Sequence, residues 1–161
     1  MSKLTIVAEP DSPFNDITRD FDAPRELLLR AYTDPELVKQ WLGPRKYEMV
    51  IDHYDARDGG TYRYIHRDEG HAYAFHGVFH GAPTIDGMVQ TFEFEGAPGH
   101  VSLDAITFED LGGGRTRVHL HSVHQSVVAR DAMAAAGMAS GIDDAYRRLD
   151  ELVERLAAPV A

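Results

Sequence analysis

Between Met138 and Leu156 the apolar residues Met138, Ile142, Ala145, Leu149, Leu152 and Leu156 step by four, three, four, three and four. That spacing is one face of a single long helix. The stretch before it has a different beat. From Gly43 to Gly114, turn-forming clusters recur about every ten residues: Gly43–Pro44, Asp58–Gly60, Asp68–Gly70, Gly81–Pro83, Asp86–Gly87, Gly96–Gly99 and Gly112–Gly114. This is the spacing of an antiparallel meander. A lone amphipathic helix and a sheet with one apolar face must bury those faces against each other.

The remaining elements follow from local chemistry. Asp16–Phe21 reads as a first strand. Pro24 suits the opening of a helix over Glu26–Tyr32. Asp34 is placed to cap a second helix, Glu36–Trp41, which Gly43–Pro44 ends. Strands are predicted over Tyr47–Tyr54, Thr61–Arg67, Ala72–His80, Met88–Glu95, His100–Phe108 and Thr116–His124. Met88–Glu95 alternates most cleanly, with Met88, Gln90, Phe92 and Phe94 on one face. Asp131 is expected to help start the terminal helix, since acids suit a helix N-terminus. Gly137 and Gly141, one turn apart, signal a close approach of helix to sheet or a break in helix packing. Asp143 with Arg147, Asp144 with Arg148, and Glu151 with Arg155 are i,i+4 pairs suited to an exposed face. The whole is an α+β chain: a curved antiparallel sheet of about six to seven strands wrapped round a long C-terminal helix, with two short helices after the first strand. We expect one domain over 1–161, its core at about 15–156.

Composition excludes several functions. The 161 residues contain no Cys, so disulfides, thiolate catalysis and Cys-type zinc sites are absent. The formal charge of −10 disfavours nucleic acid and anionic membranes as partners. No apolar run approaches the ~20 residues that span a bilayer, and the N-terminus lacks the apolar core of a signal peptide. A cytoplasmic protein is expected. Gly-x-Ser-x-Gly does not occur, and Gly112-Gly113-Gly114 lacks the Lys-Ser/Thr that phosphate binding needs.

The order of elements resembles the helix-grip fold of the START-like (SRPBCC) superfamily. Phe21–Pro44 (FDAPRELLLRAYTDPELVKQWLGP) is similar to the opening of bacterial proteins related to the C-terminal domain of the activator of the 90-kDa heat-shock-protein ATPase. Ala56–Gly70 (ARDGGTYRYIHRDEG), His76–Gly81 (HGVFHG) and Gln90–Gly96 (QTFEFEG) resemble its Gly-Gly turn and following strands. Ser126–Val153 resembles its terminal segment, where a Gly-Met-x-x-Gly core opens the long helix. The resemblance implies a cavity beside that helix. Members of the superfamily that share such a cavity include lipid and hormone binders, polyketide cyclases and other enzymes, so fold analogy alone does not select a chemistry. With the fold starting within about fifteen residues of Met1, no counterpart of the eukaryotic activator's separate N-terminal domain is expected.

Candidate cavity residues are Trp41, Met49, His53, Tyr62, Tyr64, Tyr73, Phe75, Phe79, Gln90, Phe92, Phe94, Met133, Met138 and Ile142. Ligand sites are mostly apolar walls with a few placed polar groups; the same side chains also serve simply to fill a core. A buried phenol needs a hydrogen-bond partner, which makes Tyr62 and Tyr64 informative, and Gln90 is polar on an otherwise apolar face. His53 shares parity with Tyr47, Met49 and Ile51 and is expected inward. His66, His76 and His80 are expected outward. His119 and His121, two apart on one strand, have a spacing that can hold a metal ion, but their parity puts them on the solvated face, and we expect no metal and no cofactor. His124 has the opposite parity near a strand end. The leading expectation is a non-catalytic protein enclosing a hydrophobic small molecule. A modulator of a chaperone ATPase is the second, and a cavity enzyme such as a cyclase or hydrolase using His53 or a Tyr the third. A homodimer is compatible with the sequence.

Overall fold

A computed structural model describes residues 2–158. Eight strands form one antiparallel sheet: β1 (Thr5–Val7), β2 (Phe14–Phe21), β3 (Glu48–Tyr54), β4 (Thr61–Arg67), β5 (Ala72–Thr84), β6 (Gly87–Phe94), β7 (Val101–Gly112) and β8 (Arg115–Val123). Their spatial order is β1-β2-β8-β7-β6-β5-β4-β3. The meander from β3 to β8 is thus joined by the N-terminal pair, with β2 closing against β8. Strand β1 was not expected; three residues are too few to show a period. The sheet and the long C-terminal helix together form the α+β helix-grip arrangement.

Alternation decides which face is buried. On β2, Asn15, Ile17, Arg19 and Phe21 point inward, whereas Asp16, Thr18 and Asp20 point out. Strands β5 and β7 outrun their expected ends. The cluster at Gly81–Pro83 is not a chain reversal but an irregularity within β5, where the register shifts between His80 and Thr84. A bulge uses the same residue types as a turn, so the sequence signal is ambiguous there.

Two short helices cross one end of the sheet: α1 (Arg25–Thr33) and α2 (Pro35–Trp41). Asp34 caps α2, its carboxylate accepting from the Glu36 N–H at 3.0 Å. The Trp41 indole donates to the Ala31 carbonyl at 2.8 Å, tying the pair together.

The terminal segment is split: the long helix opens at the Gly137-Met138 core, as its periodicity predicts, but a separate helix precedes it. Ser126 caps a separate helix α3 (Val127–Ala135), its hydroxyl accepting from the Ala129 N–H at 3.0 Å. Gly137, at φ +90°, breaks the chain before α4 (Met138–Ala157). That left-handed conformation suits Gly. Asp131 therefore lies inside α3, paired with Arg130 at 2.7 Å, and does not open α4. Helix α4 buries Ala145, Tyr146, Leu149, Leu152 and Val153. It reaches the sheet through long side chains: Phe21 meets Tyr146 edge-on at 5.6 Å, and the buried Arg19 bonds the Tyr146 carbonyl at 3.0 Å and Asp150 at 2.6 Å. Among the described residues no helix is long and apolar enough to cross a membrane.

Candidate ligand-binding cavity

The antiparallel register stacks inward residues into rows across β6, β7, β8 and β2. One row is apolar: Met88, Ile106, Leu120 and Ile17. The next is polar: Gln90 opposite Asp104, Asp104 opposite Ser122, Ser122 opposite Asn15. Phe92 and Ser102 begin a third. Above these rows, between sheet and helices, lies a cavity of about 330 Å³. That is at the lower end of small-molecule sites, roughly 300–1,000 Å³.

Its walls are mainly apolar. Trp41, Leu42 and Pro44 come from α2 and the loop after it, Met133 from α3, and Met138, Ile142, Ala145 and Tyr146 from α4. Tyr64, Phe75 and Phe92 stack in series, with ring centroids 5.4 and 5.3 Å apart. Tyr32 and Tyr54 complete the side under α1; the Tyr54 hydroxyl donates to the Tyr32 carbonyl at 2.8 Å. Burial pushes the phenol of Tyr64 well up and that of Tyr146 to about 12, so the ring hydroxyls stay protonated.

The polar groups are concentrated. Asp104 is only 9% exposed. Its Oδ1 accepts from Ser122 Oγ at 2.6 Å and Ser102 Oγ at 3.1 Å. Burial raises its pKa, and the two hydroxyl donors oppose that rise. His124 is buried beside them, 3.2 Å from the Asn15 amide nitrogen. Burial, then the positive charge of Arg130, holds it below the usual imidazole range. Across the cavity, His66 lies against Gly43 and among the rings of Tyr64, Phe75 and Tyr47. Burial, reinforced by Arg148, depresses it to about 4. Its Nδ1 has no partner among the described residues.

Of the sequence-derived candidates, Trp41, Tyr64, Phe75, Gln90, Phe92, Met133, Met138 and Ile142 line the cavity. Met49, Tyr62 and Phe79 are buried in the adjoining core and do not line it. Tyr73 and Phe94 lie half-buried beyond its end, 6.1 Å apart. His53 corrects the parity argument. The register of β3 on β4 slips between Ile51 and His53, so Asp52 is an extra residue and Tyr54, not His53, turns inward. His53 is exposed, held by Asp52 at 2.8 Å and Thr61 at 3.0 Å. His66 is the opposite correction. It shares parity with Tyr62 and Tyr64 on β4 and is buried with them.

Asp104, Ser102, Ser122, His66 and His124 were not picked out from sequence. A signal existed for four of them: Ser102 and Asp104 share parity with Ile106 and Phe108, Ser122 with Val118 and Leu120, and His66 with Tyr62 and Tyr64. His76 faces outward to Glu95 at 3.0 Å. His119 and His121 lie half-exposed on the outer face, each 2.8 Å from the same Asp16 oxygen. Among the described residues no group of three or more His, Asp or Glu side chains is placed to hold a metal ion.

Residues 22–154 match the model of a family described as Activator of Hsp90 ATPase homolog 1-like protein. The chain belongs to that family. The matched span of this Activator of Hsp90 ATPase homolog 1-like chain takes in every cavity-lining element except β2. A Rhodobacter sphaeroides protein of known structure is 26% identical, covering 95% of this chain and 99% of its own, with a TM-score of 0.85. At 22% identity, a protein from Arthrobacter aurescens superposes with a TM-score of 0.85 over 95% of this chain and 92% of its own. Protein Ms6760 from Mycobacterium smegmatis, also 22% identical, does so with 0.84 over 99% of both chains. These two likenesses show a shared fold. No curated protein matches the chain.

Proposed function

We propose that this protein binds a small amphipathic molecule in the cavity between α4 and the sheet, as a soluble cytoplasmic carrier or sensor. The observation that carries the reading is the division of the cavity into stacked rings on one side and a polar row, Gln90–Asp104–Ser122, on the other. Such a pairing buries an apolar body and orients a polar group. Well-packed interiors leave few voids larger than a water molecule, so a hollow of about 330 Å³ supports a binding role over simple core filling. The test is a thermal-shift and native mass-spectrometry panel of fatty acids, polyketides, aromatic acids and aromatic amines. A stoichiometric complex that raises the melting temperature is expected; indifference to the whole panel contradicts the reading.

A second reading, modulation of a chaperone ATPase, is favoured by the family description alone. Stimulation of the cognate chaperone's ATPase by the purified protein supports it, and no stimulation at high excess ends it.

A further inference from the structure

Asp104 is a carboxyl group without a counter-charge. Among the described residues no Lys or Arg lines the cavity. The buried guanidinium groups nearby are engaged elsewhere: Arg19 with Asp150 and the Tyr146 carbonyl, Arg130 with Asp131 and the Phe14 carbonyl. Arg148, behind the loop after α2, donates to the Gly43 carbonyl at 2.9 Å. Both hydroxyl donors to Asp104 converge on Oδ1, and Oδ2 has no hydrogen-bond partner among the described residues. An asparagine would accept from Ser102 and Ser122 equally well and carry no desolvation cost of charge. A carboxyl group here is therefore more than packing requires.

Resting on the cavity reading above, we infer that the ligand carries a protonated amine, which binds Asp104 Oδ2 while its apolar part lies against Tyr64, Phe75 and Phe92. The amine supplies the missing positive charge. A charge-assisted hydrogen bond in a poorly hydrated cavity is stronger than a neutral one, and aromatic rings attract cations through their faces. Gln90, opposite Asp104 in the ladder, offers a further amide acceptor. His66 and His124, both kept neutral by burial, add no repelling charge. A ligand carboxylate would instead set a second negative charge beside Asp104 with no lining cation to offset it.

The test compares three probes of like shape by calorimetry on the wild-type protein: 2-phenylethylamine, 2-phenylethanol and 3-phenylpropionate. The amine is expected to bind at least about tenfold more tightly than the alcohol, with the carboxylate weakest. In Asp104→Asn, the advantage of the amine over the alcohol should be lost. Equal wild-type affinity for amine and alcohol, or a preference for the carboxylate, overturns the inference and leaves the cavity reading standing. Binding of none of the three, with no hit in the wider panel, overturns both. The wild-type series decides the matter even if Asp104→Asn does not fold.

Discussion

Tyr62 and Gly77 face each other across β4 and β5, and each dictates the other. The Tyr62 hydroxyl passes over Gly77 to donate to the Thr91 carbonyl on β6 at 2.6 Å. A Cβ on residue 77 would overlap that carbonyl and lie 2.6 Å from the phenol oxygen. Gly77→Ala is therefore expected to cost about 2–3 kcal/mol in urea unfolding, from overpacking and the displaced hydrogen bond. Tyr62→Phe should cost about 1–2 kcal/mol, because it strands a buried acceptor. His66 gives a second prediction at this scale. Its imidazole titrates near 6.5 when unfolded and at about 4 in the cavity. Below pH 6.5 the unfolded chain takes up a proton that the folded one refuses, so stability falls as pH drops. The loss levels off near pH 4, at about 3 kcal/mol. His124 acts in the same sense. Asp104, raised by burial, acts in the opposite one, its protonation favouring the fold as pH falls. Comparing wild type with His66→Gln isolates the His66 share: the variant's stability curve should be flatter between pH 6.5 and 4. Parallel curves would refute the placement of His66.

At the scale of elements, the contact between β2 and α4 is the informative one. Arg19 is 2% exposed, whereas the side chain of its partner Asp150 is 25% exposed. The two ends of this bridge are not equivalent. Asp150→Ala leaves a guanidinium in the interior with only the Tyr146 carbonyl and should cost about 3 kcal/mol. Arg19→Met leaves a carboxylate that water reaches and an apolar chain in the core, and should cost less by at least about 1 kcal/mol. Chemical denaturation of both variants checks the order. The surface of α4 holds a related lesson. Of the three acid–base pairs expected from i,i+4 spacing, Arg147 meets Asp143 at 2.9 Å. Arg148 turns to the Gly43 carbonyl, Arg155 reaches Gln40 at 3.0 Å, and Glu151 pairs with Arg45 at 2.8 Å. Helical spacing makes a pair available, and tertiary neighbours on α2 and the following loop outcompete it. Element types were legible because period-two and helical patterns are local. The split at Gly137 is weakly marked in the sequence, since a capped α3 followed by α4 and one continuous helix share much of their pattern.

For the whole molecule, the legible part was the order of elements and the aromatic wall. Trp41, Tyr64, Phe75, Phe92, Met133, Met138 and Ile142 could be named because parity and helical phase put them toward the centre. Of the polar row only Gln90 was legible, as a polar residue on an apolar face; its continuation through Asp104 and Ser122 was not. It exists only once β6, β7, β8 and β2 are set side by side, and that register depends on turn lengths no single strand reveals. One extra residue at Asp52 reversed His53 and Tyr54. His66 differs from the exposed His80 on β5 for another reason: on its own strand it shares parity with Tyr62 and Tyr64 and is buried with them. This fold keeps an amphipathic hollow between α4 and the sheet, which we propose a ligand fills. The most direct test is a crystal structure of the protein with the tightest binder from the panel. Density is expected between Tyr64, Phe92 and Asp104 below and Met138 and Ile142 above. Density confined to the outer surface, or a cavity closed by inward collapse of Met133 and Met138, would contradict it.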